Sequence, residues 1–197
     1  MGKHNGIPED ISLQAIWRSF GVFIAVAFLL ILAFMGENRF QYVQEIWSIS
    51  EFFFEIILGA TLGMGFTVLV TLLFYIRWIS FPENEYTRLI KKMLYKRNGL
   101  FTIAFGAGVS EELLFRGAIL GVATNYVGNL TALFLVSLLF MALHIPQYKG
   151  SIVIHIVVFV MGIMLGWLFL WTGTLWAPIA AHTIYNGAVS WLMKKKF

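Results

Sequence analysis

The 197 residues contain no cysteine, which excludes disulfides, thiolate nucleophiles and cysteine-ligated metals. Aspartate is nearly missing, since Asp10 near the N-terminus is the only one, and chemistry that needs two facing aspartates has no residues to work with. Charge of either sign is scarce: 12% of the chain is charged and 59% is hydrophobic, where a soluble domain has roughly 25% and 45–50%. What is abundant is Phe (19) and Trp (7), a load of aromatic surface that calls for a non-aqueous solvent. The lipid bilayer supplies one. A net charge of +4 and a pI near 9.4 could suggest nucleic acid, but that function needs a basic face or stripe. Here the basic residues flank apolar runs, so nucleic acid is not a partner.

The first apolar run starts near Ala15 and lasts about twenty residues, beyond the roughly 7–15 of a signal peptide's apolar region, and reads as an uncleaved span. A helix needs about 20 apolar residues to cross the hydrocarbon core. Six stretches qualify: 15–35, 52–78, 99–120, 127–145, 152–171 and 174–193. Gly128-Asn129, Pro146 and Gly173 punctuate the later ones. The expectation is an all-α, polytopic membrane helix bundle of about six transmembrane helices, a multi-pass protein of the cell membrane. Residues 1–197 read as a single integral membrane domain, with the first two transmembrane helices in 15–78, a basic cytoplasmic linker at 79–98 and a catalytic core at 99–193.

Lys and Arg accumulate on the cytoplasmic side of membrane proteins. The linker holds Arg88, Lys91, Lys92, Lys96 and Arg97, with Arg77 ending the second span. Six spans put Lys149, the terminal Lys194, Lys195 and Lys196, and Lys3 and Arg18 on that same side. Twelve of the fourteen basic residues then agree, leaving Arg39 opposite and Arg116 inside a span. Both termini are therefore expected in the cytoplasm. Removing any one helix would misplace either the linker or the C-terminal lysines.

Ionisable groups inside a span cost about 2.5–3.5 kcal/mol each on insertion scales and mark function by default. The third span carries Glu111, Glu112 and Arg116, the fourth ends on His144, the fifth contains His155, and the sixth contains His182 and Asn186. Residues four apart share a helix face, so Glu112 can pair with Arg116, while Glu111 lies about 100° around the helix without an intrahelical partner. A carboxyl group in a low-dielectric cavity suits a general base, which makes Glu111 the candidate base and Glu112 the structural acid. His182 and Asn186, and Phe140 and His144, repeat the four-residue interval. His155 reads as a packing residue, Tyr185 and Trp191 as packing or interfacial aromatics, and Gly106, Gly108 and Gly117 as points of close helix approach. Ser110 adjoins the glutamates without a Gly-x-Ser-x-Gly context, and no His-Glu-x-x-His occurs.

Water activated by carboxylate and imidazole remains. Glu111-Glu112-Leu113-Leu114-Phe115-Arg116, Phe140-Met141-Ala142-Leu143-His144 and His182-Thr183-Ile184-Tyr185-Asn186 resemble, in order and spacing, the E-E-x-x-x-R, F-x-x-x-H and H-x-x-x-N motifs of the CPBP or Abi family, the CAAX proteases and bacteriocin-processing enzymes. The resemblance covers about residues 99–193.

It implies an intramembrane endopeptidase that hydrolyses a peptide bond of a membrane-associated protein or peptide. Glu111 and His144 would activate the water, His182 and Asn186 would stabilise the oxyanion, and Glu112, Arg116 and Phe140 would support the site. The tasks it implies are prenylated-protein processing, maturation of peptide signals and bacteriocin immunity. Zinc is possible on Glu111, His144 and His182, which could leave an open position, but no cofactor is favoured, because Asn186 is a poor zinc ligand. Alternatives are a non-catalytic membrane scaffold or immunity protein, and a proton-coupled carrier using the carboxylate–histidine chain as a relay. Depth sets one condition. Counted from Arg97, Glu111 lies about 21 Å along a helix, whereas His144 ends its span, so the third helix must start late, tilt, or follow an interfacial helix in the amphipathic segment 85–98.

Overall fold

The computed structural model describes residues 11–80 and 82–196, with side chains as far as Lys194. Lys3 and the side chains of Lys195 and Lys196, used above for orientation, lie outside the described residues. Among the described residues there are eight helices and no strand: α1 (Leu13–Phe34), α2 (Arg39–Ile46), α3 (Phe52–Tyr75), α4 (Glu85–Leu94), a continuous α5 (99–127), α6 (Asn129–Leu143), α7 (Ile152–Thr172) and α8 (Trp176–Lys196). The chain is an all-helical membrane bundle. Helices α1, α3 and α7 are each long and apolar enough to cross a membrane.

Local chemistry sets most of the boundaries. Ser12 and Ser151 cap α1 and α7 by accepting from the amides of Ala15 and Ile154, satisfying donors that a helix start leaves open. Asn84 and Thr87 form a reciprocal capping box at the start of α4. Gly128 and Gly173, at φ of +76° and +74°, end α5 and α7 in backbone geometry that glycine adopts without strain.

The bundle is drawn together by small residues. Gly59 and Gly63 of α3 lie on the backbones of Ala177 and Ala181 of α8, so closely that a Cβ at either glycine would run into an alanine carbonyl. In lipid, where apolar side chains gain nothing by leaving solvent, such close backbone approach is what holds helices together. Gly162 of α7 likewise lies against the Ser137 backbone of α6, and Gly166 of α7 makes room for the Leu133 side chain. Near the start of α3, Glu55 is buried and accepts a hydrogen bond from the Thr174 hydroxyl just before α8.

Two features depart from the sequence-based expectation. The third helix does not stop at 120 but runs to Val127, because only Gly128 supplies the positive φ that breaks it. An additional helix, α2, occupies the connection before α3, too short and too polar to register as a span. Helix α4 lies within the polar stretch 79–98, where an amphipathic segment was expected. Depth is reconciled mainly by α6: fifteen residues make about 22 Å of helix, short of a hydrocarbon core of about 30 Å, and His144 at its end lines the same cavity as Glu111.

Candidate active site

Helix α5 carries the two glutamates on a six-residue α-helical piece, Ala107–Glu112, between two π-helical stretches, Thr102–Gly106 and Leu113–Leu120. Wider i→i+5 turns are uncommon and concentrate at functional positions. The Ser110 hydroxyl, buried, donates to the Gly106 carbonyl at 2.7 Å, so it is spent within its own helix, as its packing role required.

Glu112 is fully buried, and its Oε1 accepts from two directions: from Arg116 Nη1 at 2.9 Å and from His182 Nδ1 at 2.6 Å. The Arg116 guanidinium also donates through Nη2 to the Gly162 carbonyl of α7 at 3.2 Å and lies 4.6 Å over the Phe140 ring. Phe140 in turn meets Phe115 edge-on at 5.1 Å, and its ring centroid is 4.6 Å from that of His144 and 6.1 Å from that of His182. One buried ion pair therefore ties α5 to α7 and α8, and one buried ring packs the motif residues of α5, α6 and α8 together. Buried charges persist only when paired and hydrogen-bonded, and this cluster meets that condition.

Glu111, His144, His182 and Asn186 all line a single cavity of about 580 Å³, within the usual range of roughly 300–1,000 Å³ for small-ligand sites. His144 Nδ1 lies 2.8 Å from the carbonyl of Phe140, one turn back. A carbonyl only accepts, so Nδ1 carries the proton and neutral His144 keeps its Nε2 lone pair. The Glu112 carboxylate fixes His182 in the same tautomer. A neutral His182 thus offers the cavity a lone pair rather than a donor, and serving as an oxyanion donor would require the imidazolium. Glu111 Oε2 is buried without a hydrogen-bond partner. Asn186 stands one turn beyond His182 on the same face of α8.

Several participants gave no signal in the sequence. The His182–Glu112 contact spans seventy residues of chain. Tyr148 and Gln147, in the turn between α6 and α7, also line the cavity, and Gln147 Nε2 donates to the Tyr148 hydroxyl at 2.8 Å. Asn84, besides capping α4, donates to the Gln147 carbonyl at 2.8 Å and so pins that turn. Tyr185 combines two situations: its ring packs on Phe66 at 5.3 Å and it faces the cavity. His155 does not line this cavity, and its Nε2 is buried without a partner. Phe20 and Phe23 of α1 and Leu89 and Ile90 of α4 add apolar surface to the same cavity.

The alternative metal set fits less well. Among the described residues no three His, Asp or Glu side chains are grouped as they would be to hold a metal ion. Glu111 shares the cavity with the rings of His144 and His182 without converging on them as a ligand set.

Residues 97–188 match the family model described as type II CAAX prenyl endopeptidase Rce1-like. The matched segment contains all three motifs, and the resemblance drawn from them is borne out. Helices α1 to α4 lie before it. A Bacillus subtilis (strain 168) protein bearing the name Uncharacterized protein YpbD is 32% identical over 130 residues, covering 63% of each chain, so the present chain spans just under two thirds of that relative's length. No solved structure matches the chain.

Proposed function

We propose, from the premise that residues 97–188 are an Rce1-like segment, that this chain is an intramembrane endopeptidase hydrolysing a peptide bond of a membrane-associated protein or peptide with a Glu/His-activated water. The observation that carries this reading is the pairing of Glu111, whose Oε2 is buried and unpartnered, with His144, whose Nε2 lone pair is left available, on one cavity. An unsatisfied buried carboxylate oxygen is costly and is retained where something is to be bound. A water between these groups would satisfy the carboxylate and become the nucleophile.

In the step so arranged, the water oxygen bonds to the scissile carbonyl carbon while its proton passes to Glu111, with His144 accepting the hydrogen bond of the second O–H. The carbonyl π pair moves onto oxygen, and the Asn186 side-chain amide donates to the resulting oxyanion. Collapse breaks the C–N bond, and the proton held by Glu111 goes to the leaving amine. Glu112 acts through His182, holding its ring on the cavity wall. No metal enters these steps.

Purified protein in detergent micelles, incubated with a peptide library and read by mass spectrometry, tests the reading. Cleavage by the wild type that is lost in Glu111→Ala and survives a strong chelator is expected. No cleavage by the wild type under any lipid condition would overturn the enzyme. Cleavage abolished by chelation and restored by zinc would overturn the metal-free step and recast Glu111, His144 and His182 as ligands.

A further inference from the structure

An oxyanion in a low-dielectric site needs preorganised donors, and of the motif residues on the cavity the Asn186 amide supplies one. His182 in the tautomer set by Glu112 supplies none. Of the other hydroxyl and amide side chains that line the cavity, those of Ser19, Tyr86, Gln147, Tyr148, Tyr185 and Ser190, Tyr148 is the one set beside both His144 and Glu111. We propose that Tyr148 is a second oxyanion donor, its phenolic O–H pointing at the tetrahedral oxygen alongside Asn186; this rests on the endopeptidase reading above.

Three observations converge on this role. Tyr148 neighbours both water-activating groups: its ring is nearly parallel to that of His144, 9° apart in plane and 6.4 Å between centroids, and the Glu111 carboxylate is near enough to act on its hydroxyl. The hydroxyl already accepts from Gln147 Nε2, and among the described residues no acceptor takes its own proton, so that proton is available to a ligand in the cavity. The turn that carries it is held from outside: Asn84 at the start of α4 donates to the Gln147 carbonyl, fixing the residue before Tyr148. Burial, reinforced by Glu111, pushes the phenol up to about 12, so it remains a neutral donor throughout the working pH range. His144 and, from α8, Tyr185 are further titratable groups facing it. No proton leaves Tyr148 in this step; it contributes a hydrogen bond that strengthens as charge develops on the oxygen and weakens again on collapse.

Tyr148→Phe keeps the ring beside His144 and removes only the donor. The expected result is a fall in kcat of about 10²-fold or more, the scale for losing one oxyanion donor, with KM within about threefold of wild type. Affinity for a phosphinate peptide, whose tetrahedral oxygen mimics the intermediate, should drop in parallel, while binding of the uncleaved peptide to a Glu111→Ala background is unchanged. A folded Tyr148→Phe enzyme with wild-type kcat overturns the proposal while the endopeptidase reading stands. A wild-type protein that cleaves nothing removes that reading and this proposal with it. Should Tyr148→Phe fail to fold, 3,5-difluorotyrosine at the same position is nearly isosteric and more acidic. Activity should then decline at high pH as the phenolate forms, at a lower pH than in wild type, and superimposable pH profiles would overturn the role.

Discussion

His182 Nδ1 lies 2.6 Å from Glu112 Oε1, so the carboxylate that its own helix pairs with Arg116 also fixes the tautomer of a histidine on α8. A histidine at a functional site commonly has its second nitrogen held by a carboxylate in this way. Glu112 is thus both a stability residue and a positioning residue, whereas Glu111, one residue away and about 100° around α5, is left to the cavity.

That division predicts different costs for two neighbouring substitutions. Glu112→Gln removes the charge that both Arg116 and His182 face in a fully buried place, and breaking a buried pair costs about 3–5 kcal/mol. Glu111→Gln removes a carboxylate that forms no ion pair among the described residues. Thermal melts in detergent should show a clearly lower midpoint for Glu112→Gln than for Glu111→Gln, although both lose activity. Equal midpoints would contradict the assignment.

The contrast between these two residues also shows what a sequence can express. The Glu112–Arg116 pair was legible because helical periodicity alone places residues four apart together. The long apolar helices were legible because lipid demands continuous apolar runs. The contact to His182 was not, since it depends on how α5 and α8 cross, where Gly108 of α5 lies against Thr183 of α8. Glu55 escaped notice because it sits in the first turn of its span, where a charge ordinarily meets water; here Thr174 receives it instead. Tyr148 was hidden because an aromatic near a membrane helix end usually serves packing or an interfacial belt, and only the neighbouring Gln147 and Glu111 distinguish it. The π-helical turns of α5 have no residue signature that separates them from α-helix.

The crossing of α3 and α8 can be tested directly. Gly63→Ala places a methyl against the Ala181 carbonyl, which is backbone and cannot swing aside, and Ala181 immediately precedes His182. The helices must separate, so the midpoint should fall and activity should fall with it, because His182 moves off its partner. Gly65→Ala, where nothing lies within 4 Å, should be neutral or stabilising by up to about 1 kcal/mol, as for glycine relieved from a helix interior. A Gly63→Ala protein as stable and active as Gly65→Ala would show that the close approach is not needed.

Topology gives a third test, favoured by the lack of native cysteine. With six spans and the basic residues inside, a single cysteine at the exposed position 38, between α1 and α2, should react with an impermeant maleimide in intact cells. Cysteines at 88 and 149, both exposed in the fold, should react only after permeabilisation. Labelling at 88 from outside would invert the orientation and place the cavity mouth on the other face.

The last prediction concerns Glu111 and His144 as one catalytic unit. Groups that act together on a single water lose function together, so removing either should cost nearly as much as removing both. Glu111→Ala, His144→Ala and the double variant are expected to share one residual rate within error, each still folded and membrane-inserted. Among the described residues neither forms a buried ion pair, so the fold should persist in all three variants, and melts would verify this. Asn186→Ala should differ in kind: its amide meets charge only as the oxyanion forms, so kcat should fall while KM changes little. Multiplicative rather than equal losses for Glu111 and His144 would mean that the two act on different steps, with the carboxylate alone taking the proton from water and the imidazole serving the leaving amine or the substrate. The same kinetic series would then reassign His144 without disturbing Glu111.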